Sequence, residues 1–272
     1  MDSLKPEPKR LTLQNIPTLS FQMTEESVRH TPATCQTCKT PFSMREVFAL
    51  DQWIGCGLCP ACEDAAQAAI GARYLADAQA ARLRRWQAMD MPFQDADSAT
   101  DRALLPALQA KRVLDWPHSR TGLVIAGETG MGKSRTIVEM LRDRWVIDGI
   151  ECSFIRFTQW RQQLDKSHRH GGEGVDRFVR PFIRVPILCI DDLGHGKFTE
   201  NNLACFFELL DARTCKGLPT HFTTQHSKET LKAAFDSVNP KTSEAIIRRL
   251  SEFNRLVTFT PLLKRDVTPS NA

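Results

Sequence analysis

The chain has 272 residues, with 36 Lys and Arg against 32 Asp and Glu, a formal net charge of +4. A hydrophobic content of 42% supports a sizeable core and excludes an intrinsically disordered chain. The N-terminal sequence MDSLKPEPKRLTLQNIP has no apolar h-region, and no run approaches the ~18 apolar residues of a membrane-spanning helix. We therefore expect a cytoplasmic protein without membrane contact, and the mild positive charge is compatible with nucleic acid without indicating it.

The N-terminal third divides into three segments. Residues 1–34 are polar and proline-containing, which predicts a flexible arm. Residues 35–62 hold five of the nine cysteines and are expected to form a separate module. An alanine-rich segment with few helix breakers predicts a linking helix over 63–90. The small core of the module is expected to use three aromatic residues, Phe42, Phe48 and Trp53.

The cysteines of this module form the pair Cys35-Gln-Thr-Cys38 and the overlapping motif Cys56-Gly-Leu-Cys59-Pro-Ala-Cys62. In a reducing compartment such clusters bind metal more often than they form disulfides, and two residues between sulfurs suit a tetrahedral site. Because Cys-Pro-Ala-Cys is similar to a zinc-ribbon knuckle, we predict a structural zinc site. Its ligands are Cys35, Cys38, Cys59 and Cys62, and Cys56 is the alternative, since its spacing is also compatible. An Fe–S cluster and a redox dithiol are the other interpretations.

From Gly122 onwards, short strand-like runs alternate with helical patterns. The predicted strands are 122–126, 152–157, 185–190, 220–224 and 256–259. The intervening segments have helical periodicity, as in Ile137, Met140 and Leu141. This alternation implies right-handed βαβ units, and so a three-layer α/β domain with a parallel sheet over 91–264, followed by a tail, 265–272.

The motif GxxxxGK[ST] is matched without a gap by Gly127-Glu128-Thr129-Gly130-Met131-Gly132-Lys133-Ser134. The match lies between a predicted strand and an amphipathic helix, which is the context that a phosphate-binding loop requires. The glycines let backbone N–H groups face phosphate oxygens, and the helix N-terminus adds partial positive charge. Lys133 is expected to contact the β- and γ-phosphates of ATP, and Ser134 to ligate Mg²⁺.

Two adjacent acids, Asp191 and Asp192, directly follow the predicted strand 185–190. Ligands of open α/β sheets gather at the carboxyl ends of strands, so we expect both acids to face the phosphate loop. Asp191 is then a candidate for the Mg²⁺ shell, and Asp192 for orienting the attacking water and taking up its proton. The alternative is a pair of solvated aspartates in a turn.

Four segments together resemble the AAA+ ATPases of the DnaC/IstB type: GETGMGKS, CIDDLGHGKFTENNLACFFELLDAR, LPTHFTTQHS and AIIRRLSEFNRLVTF. The resemblance covers residues 91–262. This group contains bacterial helicase loaders and transposition helper ATPases. The resemblance implies a P-loop NTPase fold and an oligomeric ATPase that acts on single-stranded DNA or on a replicative helicase.

Two further roles are implied by the resemblance alone. Gln225 stands where the family usually has the Asn of sensor 1, with Thr224 as the fallback. Arg249 matches the arginine finger presented to a neighbouring subunit, where it would stabilise charge on the transferring phosphoryl group. The neighbouring Arg248 is the alternative, and both could instead be ordinary exposed helix residues. The short sequence after 256–259 implies that the helical lid of longer AAA+ proteins is missing.

Residues 156–184 carry seven Lys and Arg against three acids, interleaved with Trp160 and Phe178. Such a surface can follow phosphates while aromatic rings stack on bases. The resemblance favours single-stranded DNA here, because related proteins contact single strands with this region. The alternative is a solvated helix pair joined by a glycine loop at 171–172.

Together these patterns predict a Mg²⁺-dependent ATPase of DNA replication, a homo-oligomeric helicase loader with an N-terminal zinc module. Its expected partners are single-stranded DNA and a replicative helicase. Within the family, a transposition helper is the alternative. A zinc-ribbon P-loop kinase belongs to a different class, and the position of the module before the phosphate loop argues against it. A non-hydrolysing adaptor fits less well, because the residues needed for hydrolysis are all present.

Overall fold

The computed structural model describes residues 28–49, 52–97, 106–169 and 171–260. The chain divides into two compact units, 1–75 and 76–272. Most of the predicted N-terminal arm and the whole predicted tail lie outside the described residues. Within the described ranges, no helix is both long and apolar enough to cross a bilayer.

The first unit contains a three-stranded antiparallel sheet in the order β1-β2-β3. Its strands are β1 (Val28–Thr34), β2 (Pro41–Ala49) and β3 (Gln52–Ile54). The predicted arm therefore ends too late, because its last seven residues form β1 and pair with β2 along their whole length. The strand was hidden by its weak pattern, which includes Pro32, a residue that only an edge strand tolerates.

The aromatic residues of this unit form a contact on the sheet rather than an enclosed core. The rings of Phe48 and Trp53 lie 5.4 Å apart, and the guanidinium of Arg29 lies 4.3 Å from the Trp53 ring. Phe48 nevertheless remains 42% exposed. A sheet this small therefore depends on a further constraint, which the cysteines can supply.

The linking helix, α1, spans Pro60–Gln87, three residues earlier at both ends than the prediction. Pro60 occupies its start, where the missing N–H costs nothing. The earlier start places Cys62 in the first turn of the helix, next to Cys59. The boundary between the two units falls within α1, after Leu75.

The second unit alternates helices and strands, as the sequence predicts. Its elements are α2 (Ala107–Leu114), β4 (Gly122–Gly127), α3 (Lys133–Val146), β5 (Cys152–Arg156), α4 (Phe157–His168), α5 (Gly171–Arg184), β6 (Ile187–Asp191), α6 (Glu200–Cys215), β7 (Thr220–Thr224), α7 (Lys228–Asp236), α8 (Pro240–Glu252) and β8 (Asn254–Phe259). All five predicted strands are present, with ends shifted by at most two residues.

These strands form one parallel sheet in the order β5-β6-β7-β4-β8. Leu188 and Phe222 belong to the core beneath α4–α8, whereas Leu123 and Cys189 belong to the core on the opposite face, beneath α2 and α3. The prediction of a three-layer α/β fold is therefore confirmed. The strand order also places β7 directly between β4 and β6, so that β7 can contact residues at the ends of both.

Arg213 of α6 is fully buried and has no carboxylate partner among the described residues. It donates hydrogen bonds to the carbonyl oxygens of Phe182 (2.6 Å), Val185 (2.8 Å) and Pro219 (2.6 Å), and to Thr220 Oγ1 (2.8 Å). Burial lowers the pKa of the guanidinium to about 10. One cation thus joins the end of α5 to the beginning of β7.

Candidate functional site

The loop between β4 and α3 needs glycine at two positions for steric reasons. Gly132, the N-cap of α3, has a left-handed backbone with φ of 80°. A Cβ on Gly127 would lie 2.4 Å from the carbonyl oxygen of Phe259 on the neighbouring strand β8. The loop can therefore turn tightly into α3, whose free N–H groups and partial positive charge face the carboxyl end of the sheet.

Lys133, the first residue of α3, points back into this loop. Its Nζ donates to the carbonyl oxygens of Gly127 and Glu128, both at 2.7 Å. Only 6% of the residue is exposed, and burial lowers the pKa of its ammonium group, an effect that the nearby charges of Asp192 and Asp191 oppose. The amine thus points into the loop. A phosphate bound there would replace the two carbonyl oxygens as its hydrogen-bond partners.

Three oxygen-bearing side chains meet at the ends of β6 and β7. Ser134 Oγ donates to Asp191 Oδ1 at 2.7 Å, and Thr223 Oγ1 donates to the same oxygen at 2.5 Å. Burial raises the pKa of the Asp191 carboxyl, while the bonds from Thr223 and Ser134 oppose the increase. A buried carboxylate beside a hydroxyl provides the hard oxygen ligands that Mg²⁺ prefers, so these residues fit the metal.

Asp192 has a left-handed backbone, with φ of 56°, which is uncommon for a residue other than glycine. Its N–H donates to Thr223 Oγ1 at 2.9 Å, and the next N–H, that of Leu193, donates to the Thr223 carbonyl oxygen at 2.8 Å. Thr224 Oγ1 then donates to the Leu193 carbonyl oxygen at 2.7 Å. β7 therefore holds the strained backbone in place. Asp192 begins a turn beside the phosphate loop, is half-buried, and lies close enough to Lys133 for its charge to act on that amine.

Thr223 is the residue of this site that the sequence interpretation missed. Gln225 and Thr224 were considered for the sensor position, but Thr223 is the β7 residue that contacts both acids. The available signal was the run of polar residues on both sides of Phe222 in a strand that must be central. A buried hydroxyl in such a strand needs a partner, and the carboxyl end of the adjacent β6 offers one.

Gln225 lies on the exposed side of the site, beside the phosphate loop. Its Oε1 accepts a hydrogen bond from Thr129 Oγ1 at 2.8 Å. Thr224, the fallback for the same role, is buried and directed at the Leu193 carbonyl. Of the two, the structure places Gln225 closer to the loop.

The two arginines near the end of α8 have different surroundings. Arg249 Nε donates to Asp211 Oδ1 of α6 at 3.1 Å, and its guanidinium lies 4.5 Å from the Phe207 ring. The side chain of Arg248 is 65% exposed, and its Nε lies 4.0 Å from Glu252 Oε2. Arg249 is therefore engaged within its own chain, whereas Arg248 extends outwards.

The aromatic residues of segment 156–184 do not face solvent as the sequence interpretation required. Trp160 is fully buried and packs against Phe157 and Phe206, with centroid distances of 5.9 Å. Phe178 is half-buried against Trp160 and Phe182. The expectation that Trp160 stacks on bases is thus wrong, because the apolar sides of α4 and α5 cover the core.

Five cations of the same segment do face outwards, and we call them the α4–α5 surface. They are Lys166, Arg169, Arg177, Arg180 and Arg184. Arg180 pairs with Asp176 one turn earlier. This surface can neutralise phosphates, but stacking would have to come from elsewhere in a bound complex.

The thiols of Cys35, Cys38, Cys59 and Cys62 form a compact group in the first unit. Their sulfurs lie within 4.8 Å of one another, with Cys38 and Cys59 at 3.6 Å. Sulfurs bound to one tetrahedral zinc lie about 3.8 Å apart, given Zn–S bonds of about 2.3 Å. Cys56 lies outside the group, with Sγ 3.6 Å from Glu63 Oε2. The four thiols that the sequence favoured therefore fit zinc.

The acid–base chemistry of this group also suits a metal. A hydrogen bond from the Cys59 backbone N–H lowers the pKa of Cys35 to about 6. In contrast, side-chain hydrogen bonding with Cys59, and also with Cys38 and Cys35, raises the pKa of Cys62 to about 12. The four thiols cannot all ionise side by side unless a cation balances their charge.

A family model described as "IstB-like ATP binding protein" matches residues 71–260, more than half of the chain. The chain belongs to the IstB-like ATP-binding protein family. This membership confirms the resemblance drawn from the motifs, and it identifies the loop at 127–134 as part of an ATP-binding domain. A comparison with curated proteins finds no match.

Solved structures with a similar fold include proteins of DNA replication. A DnaC helicase loader is 19% identical, with a TM-score of 0.49, over 62% of this chain and 98% of that chain. DnaI is 18% identical, with a TM-score of 0.47, over 56% of this chain and 81% of that one. A putative primosome component from Streptococcus pyogenes serotype M3 is 21% identical, with a TM-score of 0.45, over 63% of this chain and 91% of that one. None of these likenesses bears on the activity or partners of this chain.

Proposed function

We propose that this IstB-like protein is a Mg²⁺-dependent ATPase. The observation that carries the proposal is the convergence of Lys133, Ser134, Asp191 and Asp192 at the carboxyl ends of β4 and β6. Ser134 and Asp191 would hold Mg²⁺, which would neutralise charge on the β- and γ-phosphates. The groups that bind the phosphates, hold the metal and activate the water then lie together on one edge of the sheet.

The roles of the residues follow from their positions. Lys133 exchanges its two loop carbonyls for phosphate oxygens, and the N–H groups of the loop and of α3 bind the remaining oxygens. Asp192 orients the attacking water and accepts its proton, and the bonds from its backbone to β7 hold its main chain in place. Gln225 contacts the γ-phosphate or the water from the exposed side.

Steady-state turnover and nucleotide binding test this assignment. Lys133→Ala removes the charge that pairs with the phosphates, so we expect it to abolish hydrolysis. Asp192→Asn keeps the shape of the side chain but loses the proton acceptor, so turnover should fall by about 10²-fold while ATP remains bound. Asp115→Asn, at an exposed aspartate after α2, is the matched control. Normal turnover in Asp192→Asn would remove this residue from the mechanism, and normal turnover in Lys133→Ala would contradict the site.

We further propose that the ATPase acts in DNA replication as a helicase loader, with single-stranded DNA and a replicative helicase as partners. The support is the motif resemblance together with the outward cations of the α4–α5 surface. Replacing Lys166, Arg169 and Arg177 by Ala should weaken binding to an oligodeoxythymidylate. Each lost phosphate contact should reduce the salt slope by about 0.7. Unchanged affinity over a salt series would place the DNA site elsewhere.

A transposition helper remains the alternative, because the family model that matches is IstB-like. A pull-down from the native host distinguishes the two, since a helper should retain a transposase and a loader a helicase. Adding nucleosides to the turnover assay tests the kinase alternative. Phosphorylation of a nucleoside would contradict both readings within the family.

We also propose that the four clustered thiols of the first unit bind one structural zinc. Metal analysis of the purified protein should find about one zinc per chain, because four thiolates at tetrahedral spacing bind it tightly. Replacing Cys35 and Cys38 by Ser should unfold the first unit and leave ATP binding intact, since the parallel sheet has its own core. Cys56→Ser is the matched control and should keep its zinc. Iron with a visible absorption band would contradict the assignment.

A further inference from the structure

Arg161 of α4 contacts a loop that belongs to the nucleotide site. Its Nη1 donates to the His195 carbonyl oxygen at 3.2 Å. The same nitrogen lies 2.6 Å from the point where a Cβ on Gly196 would be, so the guanidinium lies directly against the backbone there. Its carbon Cζ is 5.9 Å from the Phe198 ring. One side chain therefore contacts three residues of the segment 192–198, which we call the Asp192 loop.

The Asp192 loop is fixed at both ends, and Arg161 holds its middle. At its beginning, Thr223 and Thr224 hold the backbone of Asp192 and Leu193. At its end, the Phe198 ring packs 5.2 Å from Phe157 and 4.7 Å from Phe235. Between these anchors, His195 and Gly196 are exposed, and Gly196 has a positive φ of 90°. Arg161 is thus the contact from α4 that restrains the exposed part of the loop.

The bonding of Arg161 is incomplete in this arrangement. Its Nε is buried and has no acceptor within the described part of the chain. An unmade hydrogen bond of this kind costs free energy. A small movement of the loop or of α4 that brings an acceptor to Nε would recover that free energy. The contact is therefore suited to respond to changes on either side of it.

Arg161 also differs from the other cations of segment 156–184. Lys166, further along α4, and Arg169, directly after the helix, are exposed, whereas Arg161 is half-buried beneath the loop. Phe157 and Trp160 fix the beginning of α4 in the core. A displacement of α4 caused by a ligand on its exposed cations can therefore be transmitted to the Asp192 loop through a short, packed segment of helix.

We propose that Arg161 is a positioning residue that connects the α4–α5 surface to Asp192. Single-stranded DNA on that surface shifts α4, Arg161 carries the shift to the Asp192 loop, and the direction of the Asp192 carboxylate towards the attacking water changes. The rate of ATP hydrolysis then depends on DNA occupancy, although DNA and nucleotide do not touch. This inference rests on the proposed ATPase and DNA-binding functions.

Turnover, nucleotide binding and DNA binding of the full chain test the proposal together. Arg161→Met keeps the apolar stem of the side chain and removes the donors, and Arg161→Lys keeps one cation. Turnover is measured with and without an oligodeoxythymidylate, binding with a fluorescent ATP analogue and by DNA anisotropy. Arg112→Met, at an exposed arginine of α2, is the matched control. Thermal unfolding verifies that each variant is folded.

The expected result separates kcat from binding. Arg161→Met should lower kcat by about tenfold or more with an unchanged dissociation constant for ATP, because misplacing a catalytic group by 1 Å costs about 10²-fold. It should also lose the change in rate that DNA causes while still binding DNA. Arg161→Lys should recover part of both properties. Should Arg161→Met fail to fold, Arg161→Lys still carries the test through its reduced response to DNA.

Other results would overturn the proposal. A variant with wild-type turnover and a wild-type response to DNA would show that the contact is incidental. Loss of DNA affinity as large as that of Lys166→Ala, with normal basal turnover, would make Arg161 one DNA contact among several. If bound DNA did not change the rate of ATP hydrolysis by the wild-type protein, the proposed connection between the α4–α5 surface and Asp192 would be contradicted. Failure of the proposed functions looks different, because the wild-type protein would then show no turnover, or no DNA binding by anisotropy.

Discussion

The single hydroxyl of Thr223 makes hydrogen bonds to two adjacent acidic residues of the site. It donates to the Asp191 carboxylate and accepts from the Asp192 N–H, so it holds both the proposed metal ligand and the proposed proton acceptor. The residue is fully buried, and water cannot replace either bond without repacking. A side chain far from the phosphate loop in the sequence therefore fixes the positions of both acids.

We expect Thr223→Val, which has nearly the same shape, to lower kcat by about tenfold or more, because both acids lose a fixed direction. The Asp192 N–H also becomes a partly buried donor without a partner, which should cost about 1 kcal/mol of unfolding free energy. Thr223→Ser should retain most of both properties. Steady-state kinetics and urea unfolding measure the effects, with Thr214→Val on α6 as control. A Thr223→Val protein with normal kcat would show that the orientation of Asp191 and Asp192 does not depend on the Thr223 hydroxyl.

At the scale of elements, β7 shows how polar residues can build a central strand. Its pattern is fully buried, and each polar side chain has a specific partner in a neighbouring element. Thr220 accepts from Arg213, His221 Nδ1 accepts from the Leu123 N–H at 3.1 Å, and Thr223 and Thr224 hold the Asp192 loop. The strand is thus both a part of the sheet and a set of fixed hydrogen-bond positions.

His221 gives this strand a measurable dependence on pH. Burial, with smaller contributions from Arg213, His118 and Arg144, lowers its pKa to about 3. An unfolded histidine titrates near pH 6.5, so below that pH the unfolded chain binds the additional proton. The free energy of unfolding should therefore fall as pH decreases from about 6.5 towards 3, by up to about 1.4 kcal/mol per pH unit.

Urea unfolding of the wild type and of His221→Asn over this range tests the linkage. Asn retains an acceptor for the Leu123 N–H but does not titrate, so the variant should have a flatter profile between pH 6.5 and 5. His195→Asn, at an exposed site, should keep the wild-type slope. Equal slopes in all three proteins would assign the pH dependence to other groups.

The sequence predicted the elements of the second unit well, because strands buried on both faces and amphipathic helices have strong patterns. The same rules could not reveal β1, whose side chains mark neither a buried nor an exposed face clearly. Trp160 was misplaced because an aromatic residue between cations has the same pattern whether it faces solvent or the core. Only the packing of Phe157 and Phe206 around it distinguishes the two cases.

The hydrogen-bond and ion-pair partners of individual side chains also could not be predicted from the sequence. Ser134, Asp191 and Thr223 come from three separate segments, and their meeting depends on β7 lying between β4 and β6. Likewise, the ion pair of Arg249 with Asp211 connects α8 to α6. Motif spacing predicted most of the residues that meet at this edge of the sheet, but strand order decides which of them touch.

At the scale of the whole molecule, the two arginines near the end of α8 lead to a prediction about assembly. An arginine finger completes the site of a neighbouring subunit, and head-to-tail contacts of that kind build rings or filaments. Arg248 is exposed and Arg249 is held by Asp211. If the protein assembles in this way, turnover should rise more than linearly with its concentration.

We expect Arg248→Ala to lower turnover by about 10³–10⁵-fold with normal ATP binding, as for other fingers. Arg249→Ala should mainly reduce stability, unless its pair with Asp211 opens on assembly and Arg249 is the finger. Mixing the inactive finger variant with Lys133→Ala should restore part of the activity, because one interface then combines two intact residues. No recovery in either mixture, together with turnover proportional to concentration, would indicate a monomeric enzyme.

The buried Arg213 has a consequence for how the protein fluctuates. Its donors are satisfied only while the end of α5, α6 and the start of β7 are all in place. If α5 opened alone, the buried cation would lose its acceptors at Phe182 and Val185 and keep those at Pro219 and Thr220, which is a costly state. Amide hydrogens in the last turns of α5 should therefore exchange with solvent only when the whole parallel sheet unfolds, although the helix lies at the surface. The cations near the end of α5 would then stay on a folded helix for as long as the sheet is folded.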